Sequence, residues 1–111
     1  MTFEEAKNAT IAAILDPQVG DCYHEMLSYW MWVVRVTKRS VYWVDAKSDA
    51  RTPIFLPSGG QLHRASRQDF EARMCYNGKA TNGTWLILHK RGCDVQGWYD
   101  ATRTTLKIWH R

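Results

Sequence analysis

Two apolar runs with a four-residue polar break between them constrain this chain more than any other feature. Residues 29–36 read YWMWVVRV, residues 41–46 read VYWVDA, and Thr37-Lys38-Arg39-Ser40 separates them. β-Branched and aromatic side chains stand at consecutive positions, so both faces of the first run carry large apolar groups. That pattern belongs to a strand buried on both sides, central in a sheet or part of a barrel. The short polar break is the length of a hairpin connection. The two runs therefore predict an antiparallel pair near the middle of the fold.

The remaining elements arrange themselves around this hairpin. Residues 2–15 predict an amphipathic helix, with Thr2 as N-cap and Glu5 in capping-box position. Phe3, Ala6, Thr10, Ala13 and Ile14 follow helical spacing, and Ile11 and Leu15 widen the stripe. Asp16-Pro17 stops the helix, because a residue before proline is pushed away from helical angles. Val19-Gly20-Asp21 turns the chain into a short strand, Cys22 to Met26. Beyond the hairpin, residues 47–61 predict a loop containing Pro53-Ile54-Phe55-Leu56-Pro57 and then Ser58-Gly59-Gly60. A strand follows over 61–65. Ser66 with Asp69 caps a second helix over 67–74, and Phe70 and Met74 share one of its faces. Asn77-Gly78 and Asn82-Gly83 mark turns. Residues 85–90, 97–100 and 104–110 complete the strands.

The fold class expected is α+β, one domain over residues 1–111. It comprises an N-terminal helix, a strongly twisted and mostly antiparallel sheet of five to seven strands, and one short second helix. A small SH3-like barrel is the preferred closure of that sheet, and open helix-on-sheet packing is its alternative. Trp30, Trp32 and Trp43 are expected mainly in the core, where large rings fill a small interior efficiently. No apolar run reaches the 18–20 or so residues of a membrane span.

Charge is divided unevenly along the chain. Residues 1–34 hold one base against five acids, for −4, and residues 35–111 hold fourteen bases against six acids, for +8. Such asymmetry points to an acidic partner for the basic side, either nucleic acid or an acidic protein surface. Three cysteines, Cys22, Cys75 and Cys93, cannot all pair within one chain, and none belongs to a CxxC. An odd count with an acidic, helix-like start predicts a reducing cytoplasm and no signal peptide.

Motif-marked catalysis finds no support: GxSxG, HExxH, a P-loop and GxGxxG are all missing from the sequence. The expectation is a protein that is not an enzyme and needs no cofactor. Two alternative chemistries have candidate residues. His24, His63, His89 and His110 contain a potential acid–base pair for phosphodiester cleavage, which requires two of them to meet over one substrate. Cys22-x-His24 and His89-x3-Cys93 would supply two soft ligands each to a tetrahedral zinc ion, although the spacing is not that of a finger or ribbon. Two buried thiols and two surface histidines are the plainer reading, and no metal is expected.

Two surfaces remain as binding candidates. Arg51, Ile54, Phe55 and Leu56 form a proline-bracketed apolar anchor for a protein partner, with Lys38 and Arg39 at the hairpin tip reaching toward an acidic surface. On the last predicted strand, Arg103, Lys107, Trp109 and Arg111 alternate onto one face. Cations that track phosphates and a ring that stacks on a base are the equipment of single-stranded nucleic-acid binders. The same pattern also serves to protect an ordinary edge strand from unwanted pairing.

Val19-Gly20-Asp21, the aromatic strand Tyr29-Trp30-Met31-Trp32 and the late Gly97-Trp98 resemble, over residues 15–100, small uncharacterised proteins of phages and prophages. The resemblance implies stoichiometric binding to a host protein or nucleoprotein complex, as anti-CRISPR inhibitors of host defence act, in the host cytoplasm. It carries no catalytic residues. The function expected is a small non-enzymatic inhibitor of that kind. A nucleic-acid-binding module and a histidine-dependent hydrolase are the alternatives.

Overall fold

The computed structural model describes residues 2–25, 29–46 and 62–93. In chain order they form α1 (Phe3–Leu15), β1 (Cys22–Glu25), β2 (Tyr29–Val36), β3 (Ser40–Ala46), β4 (Leu62–Ser66), α2 (Arg67–Met74), two single-turn 3-10 helices and β5 (Ile87–Lys90). The five strands make one antiparallel sheet in the order β4-β3-β2-β1-β5. The α+β expectation therefore holds, with the hairpin β2–β3 at its centre. The SH3-like barrel does not. Closure would require β4 to pair with β5, and these lie at opposite edges with three strands between them. β4 instead passes directly into α2 at Ser66, which takes the chain off the sheet. The loop over 47–61 and the strands expected at 97–100 and 104–110 lie outside the described residues.

Helix α1 begins where the Thr2 hydroxyl accepts a hydrogen bond from the Glu5 N–H at 3.1 Å, and it ends at Asp16 ahead of Pro17. Its inward face is centred on Thr10, Ala13 and Ile14, all buried. Leu15 lies about 140° around the helix from Thr10 and is exposed rather than part of the stripe. Phe3 shares the inward stripe two turns earlier, yet it is 76% exposed. Thr10 does more than fill space. Its hydroxyl donates to the Ala6 carbonyl at 2.7 Å and accepts from the Leu88 N–H at 2.8 Å, tying α1 to β5.

Alternation along the strands separates two clusters. Tyr23, Met31, Val33, Val41, Trp43 and Ala65 face the helices and meet Phe70 and Met74 of α2. Phe70 is fully buried and meets Tyr23 and Trp43 edge-on, at 6.5 and 5.3 Å between ring centroids. Burying a ring of that size contributes about 1.5–3 kcal/mol. The opposite face carries Cys22, Trp32, Val34 and Val44, with Trp30, Tyr42, Leu62 and Cys93 packed against them. Trp32 and Trp43 are thus both core residues, on opposite sides of the sheet. Trp30 is half-buried.

A compact polar junction joins α1, β1, β2 and β5. Gly20 adopts φ +92°, and its N–H donates to the Val33 carbonyl while its own carbonyl accepts from the Cys93 N–H, both at 2.9 Å. A Cβ at Gly20 would stand 2.7 Å from the Cys93 carbonyl oxygen. Only glycine serves here, since both the backbone angle and the space exclude a side chain. Next to it, the fully buried Asp21 carboxylate receives Arg91 Nε at 2.9 Å, Arg91 Nη2 at 3.2 Å and the Gln18 N–H at 2.9 Å. No helix among the described residues is long and apolar enough to cross a membrane.

Candidate functional site

At the β2–β3 turn, the Thr37 hydroxyl accepts from the N–H groups of Arg39 and Ser40, and the Thr37 N–H donates to the Ser40 carbonyl. This local satisfaction of backbone donors is why Thr and Ser suit the turn. The turn is then clamped from outside. Arg67 donates through Nε and Nη2 to the Thr37 carbonyl at 3.2 and 3.1 Å, and its backbone N–H donates to the Arg39 carbonyl at 3.0 Å. Lys38 and Arg39 are exposed on a tip held against the start of α2.

Two more cations stand beside them because of a register step. The β2–β3 pairing passes from Val33 opposite Trp43 to Arg35 opposite Tyr42, leaving Val34 as an extra residue. Such a bulge re-aims the side chain that follows it. Arg35 consequently lies over the Tyr42 ring at 5.4 Å, and Arg64, opposite Tyr42 on β4, lies over the same ring at 5.6 Å. Each guanidinium gains from the quadrupole of the ring.

Arg35, Lys38, Arg39, Arg64 and Arg67 are all exposed, and they cluster at one end of the sheet. Among the described residues none of the five lies within ion-pair distance of a carboxylate; the two ion pairs are Asp21–Arg91 and Asp45–His63. Asp69 is the carboxylate in the first turn of α2, where its backbone N–H is capped by Ser66. Sequence reasoning picked out Lys38 and Arg39 and missed Arg35, Arg64 and Arg67. Arg67 did carry a signal, since a cation at the first position of a helix opposes the macrodipole. Arg64 is visible only through strand register. Arg51, Ile54, Phe55, Leu56, Arg103, Lys107, Trp109 and Arg111 lie outside the described residues.

The other candidate chemistries are only half assembled. His24 and His89 approach to 6.0 Å between ring centroids, with Trp30 stacked on His24 at 4.8 Å. His63 is on the opposite face, stacked on Trp43 and 3.2 Å from Asp45. His110 lies outside the described residues. Cys93 packs against the cluster that contains Cys22, while His24 and His89 meet each other beside Trp30. Among the described residues no three His, Cys, Asp or Glu side chains gather as metal ligands. Burial pushes the Cys22 thiol up to about 12 and the Cys75 thiol to about 11. Burial also raises the Tyr23 hydroxyl and, less strongly, the Cys93 thiol, which Lys90 opposes.

A second surface is aromatic. Phe3, Tyr76 and Trp85 are 76, 41 and 50% exposed, and Tyr76 and Trp85 touch at 3.9 Å between centroids. Phe3 and Tyr76, with Lys7 and Ile87, line a groove of about 280 Å³. Comparison of the chain with protein-family models, curated proteins and solved structures gave no match in any of the three.

Proposed function

We propose that this chain is a non-enzymatic binding protein that docks on a nucleic-acid-bearing assembly and holds the cationic end of its sheet against phosphate. The observation that carries this reading is the gathering of Arg35, Lys38, Arg39, Arg64 and Arg67 without carboxylate partners among the described residues. Protein interfaces are built around a desolvated apolar centre. Among the described residues the exposed cation cluster has none, and it suits a partner whose charge is dense and outward. Arginine forks engage phosphate oxygens in pairs, and Arg35 and Arg64 both stand over the Tyr42 ring. Inhibition of a host nucleoprotein complex, as the resemblance to phage proteins implies, is one use of such a surface.

Anisotropy of labelled single- and double-stranded oligonucleotides tests this directly. Binding is expected to be independent of sequence and to weaken steeply with salt, because each phosphate contact releases counterions. The double variant Lys38→Glu, Arg39→Glu is expected to bind roughly tenfold to a hundredfold more weakly and to flatten the salt slope by about two. Binding unchanged by both substitutions, or insensitive to salt, would remove the cationic end from consideration.

The exposed aromatic surface favours a second reading, docking on a protein. Phe3 sits on the inward stripe of α1 and still meets solvent, which is the mark of an interaction patch. In that case Trp85→Ser abolishes capture of the partner, while the charge-reversed tip retains it.

A further inference from the structure

We propose that His24 and His89 form an open binding site for a divalent transition-metal ion, copper(II) most tightly, with Trp30 as its wall. The two imidazoles meet edge to face, with 6.0 Å between ring centroids and 78° between planes. Two imidazoles that each ligate one ion at about 2.0–2.1 Å place their centroids roughly 5–6 Å apart, so the observed separation matches that of a shared ion. A bulge brings the pair together. In the β1–β5 pairing Cys22 lies opposite Lys90 and Tyr23 opposite Leu88, which leaves His89 as the extra residue. A bulge re-aims a side chain, and His89 here meets both His24 and the Trp30 ring, the latter at 5.1 Å. Trp30 is registered directly opposite His24 on β2 and stacks on it at 4.8 Å. Both imidazoles therefore rest on one indole.

The donors are unshared and reachable. His63 is held to the Asp45 carboxylate at 3.2 Å, whereas neither His24 nor His89 has a carboxylate within ion-pair distance among the described residues. His24 Nδ1 is buried and has no hydrogen-bond partner among the described residues. A buried nitrogen in that condition calls for an explanation, and an ion shared with His89 supplies the missing partner. His89 is exposed, so the ion enters from its side. Imidazole suits copper(II), nickel(II) and zinc, while magnesium and calcium take oxygen ligands. Among first-row ions copper(II) binds such donors most tightly. No third His, Cys, Asp or Glu joins the pair among the described residues. The remaining coordination positions go to water, which makes the site open and exchangeable rather than structural.

The test adds copper(II) alone to the full chain, carrying no histidine tag, and reads calorimetry and electron paramagnetic resonance. One ion is expected per chain, with two imidazole nitrogens in its spectrum and partial quenching of tryptophan fluorescence through Trp30. Nickel(II) and zinc should compete more weakly, and magnesium should not bind. His24→Ala and His89→Ala should each weaken binding by about a hundredfold or more, since losing even a partner that supports a ligand costs about 10–100-fold. His89 is exposed, so His89→Ala carries the test alone should His24→Ala fail to fold. His63→Ala and His110→Ala should bind as the parent does. The proposal is overturned by no binding of copper(II), by binding that survives His89→Ala, by equal loss in His63→Ala or His110→Ala, or by a spectrum with fewer than two imidazole nitrogens.

Discussion

Replacing Arg91 by Met is expected to destabilise the fold by about 3–5 kcal/mol, more than any surface substitution in the chain. The cost arises mainly at its partner. Asp21 is fully buried, and Arg91 supplies two of its hydrogen bonds. The Gln18 N–H and the Tyr23 hydroxyl, at 2.9 and 3.4 Å, remain but carry no full charge. Removing the guanidinium therefore leaves a carboxylate out of water without a counter-charge. The same change frees the Asp16 carbonyl, which accepts from Arg91 Nη2 at 2.8 Å and anchors the end of α1. Asp21→Asn should cost less, about 1–3 kcal/mol, because Arg91 is over a third exposed and recovers solvent. The double variant should be more stable than the sum of the two losses predicts, since contacting partners are not additive. Urea denaturation of the four proteins measures this. Independent, additive effects would show that the junction is held by its backbone bonds alone.

Much of this framework is written locally in the sequence. The hairpin, the Thr2 cap, the Ser66 cap with helix α2 over 67–74, and the buried pair Phe70 and Met74 all follow from neighbouring residues. Each is decided by propensity, capping or period. What local reading missed depends on residues distant in sequence. Asp21 and Arg91 meet across 70 positions, and Thr10 meets Leu88 across 78. The preference for a barrel failed for the same reason, because closure depends on which edges pair, and twist and composition do not encode that. The candidate site divides in the same way. Lys38 and Arg39 are adjacent in the turn and legible as such. Arg35, Arg64 and Arg67 join them through a bulge, a register and a helix start on three separate elements. Thr10 looked like a member of an apolar stripe, and its hydroxyl instead closes a hydrogen bond to the sheet.

Three of the raised acids, Cys22, Cys75 and Tyr23, give the protein an alkaline limit, whose sign follows from proton counting. Burial raises Cys22 from 9.0 to about 12 and Cys75 from 9.0 to about 11, and it raises Tyr23 as well. Below pH 9 both thiols are protonated in the folded and unfolded chains alike, so stability does not depend on them. Above pH 9 the unfolded chain releases these protons and the native chain keeps them. The unfolded state then binds fewer protons, and stability falls as pH rises. Each thiol contributes about 1.4 kcal/mol per pH unit, for Cys75 until about pH 11 and for Cys22 until about pH 12. Between pH 9 and 10.5 the two together remove about 3 kcal/mol, a large part of the 5–15 kcal/mol or so that a domain possesses. Above pH 10 Tyr23 adds to the loss. Urea midpoints measured under reducing conditions at pH 8, 9 and 10.5 are expected to be level across the first interval and to drop sharply across the second. Cys75→Ala keeps a small apolar group in place and removes one titrating site, so its profile should fall about half as steeply up to pH 10.5. Equal midpoints at pH 8 and 10.5 would mean that these thiols reach water in the native state. The packing of Cys22 beneath Trp32 and Val44, and of Cys75 beneath α2, would then be looser than the structure describes.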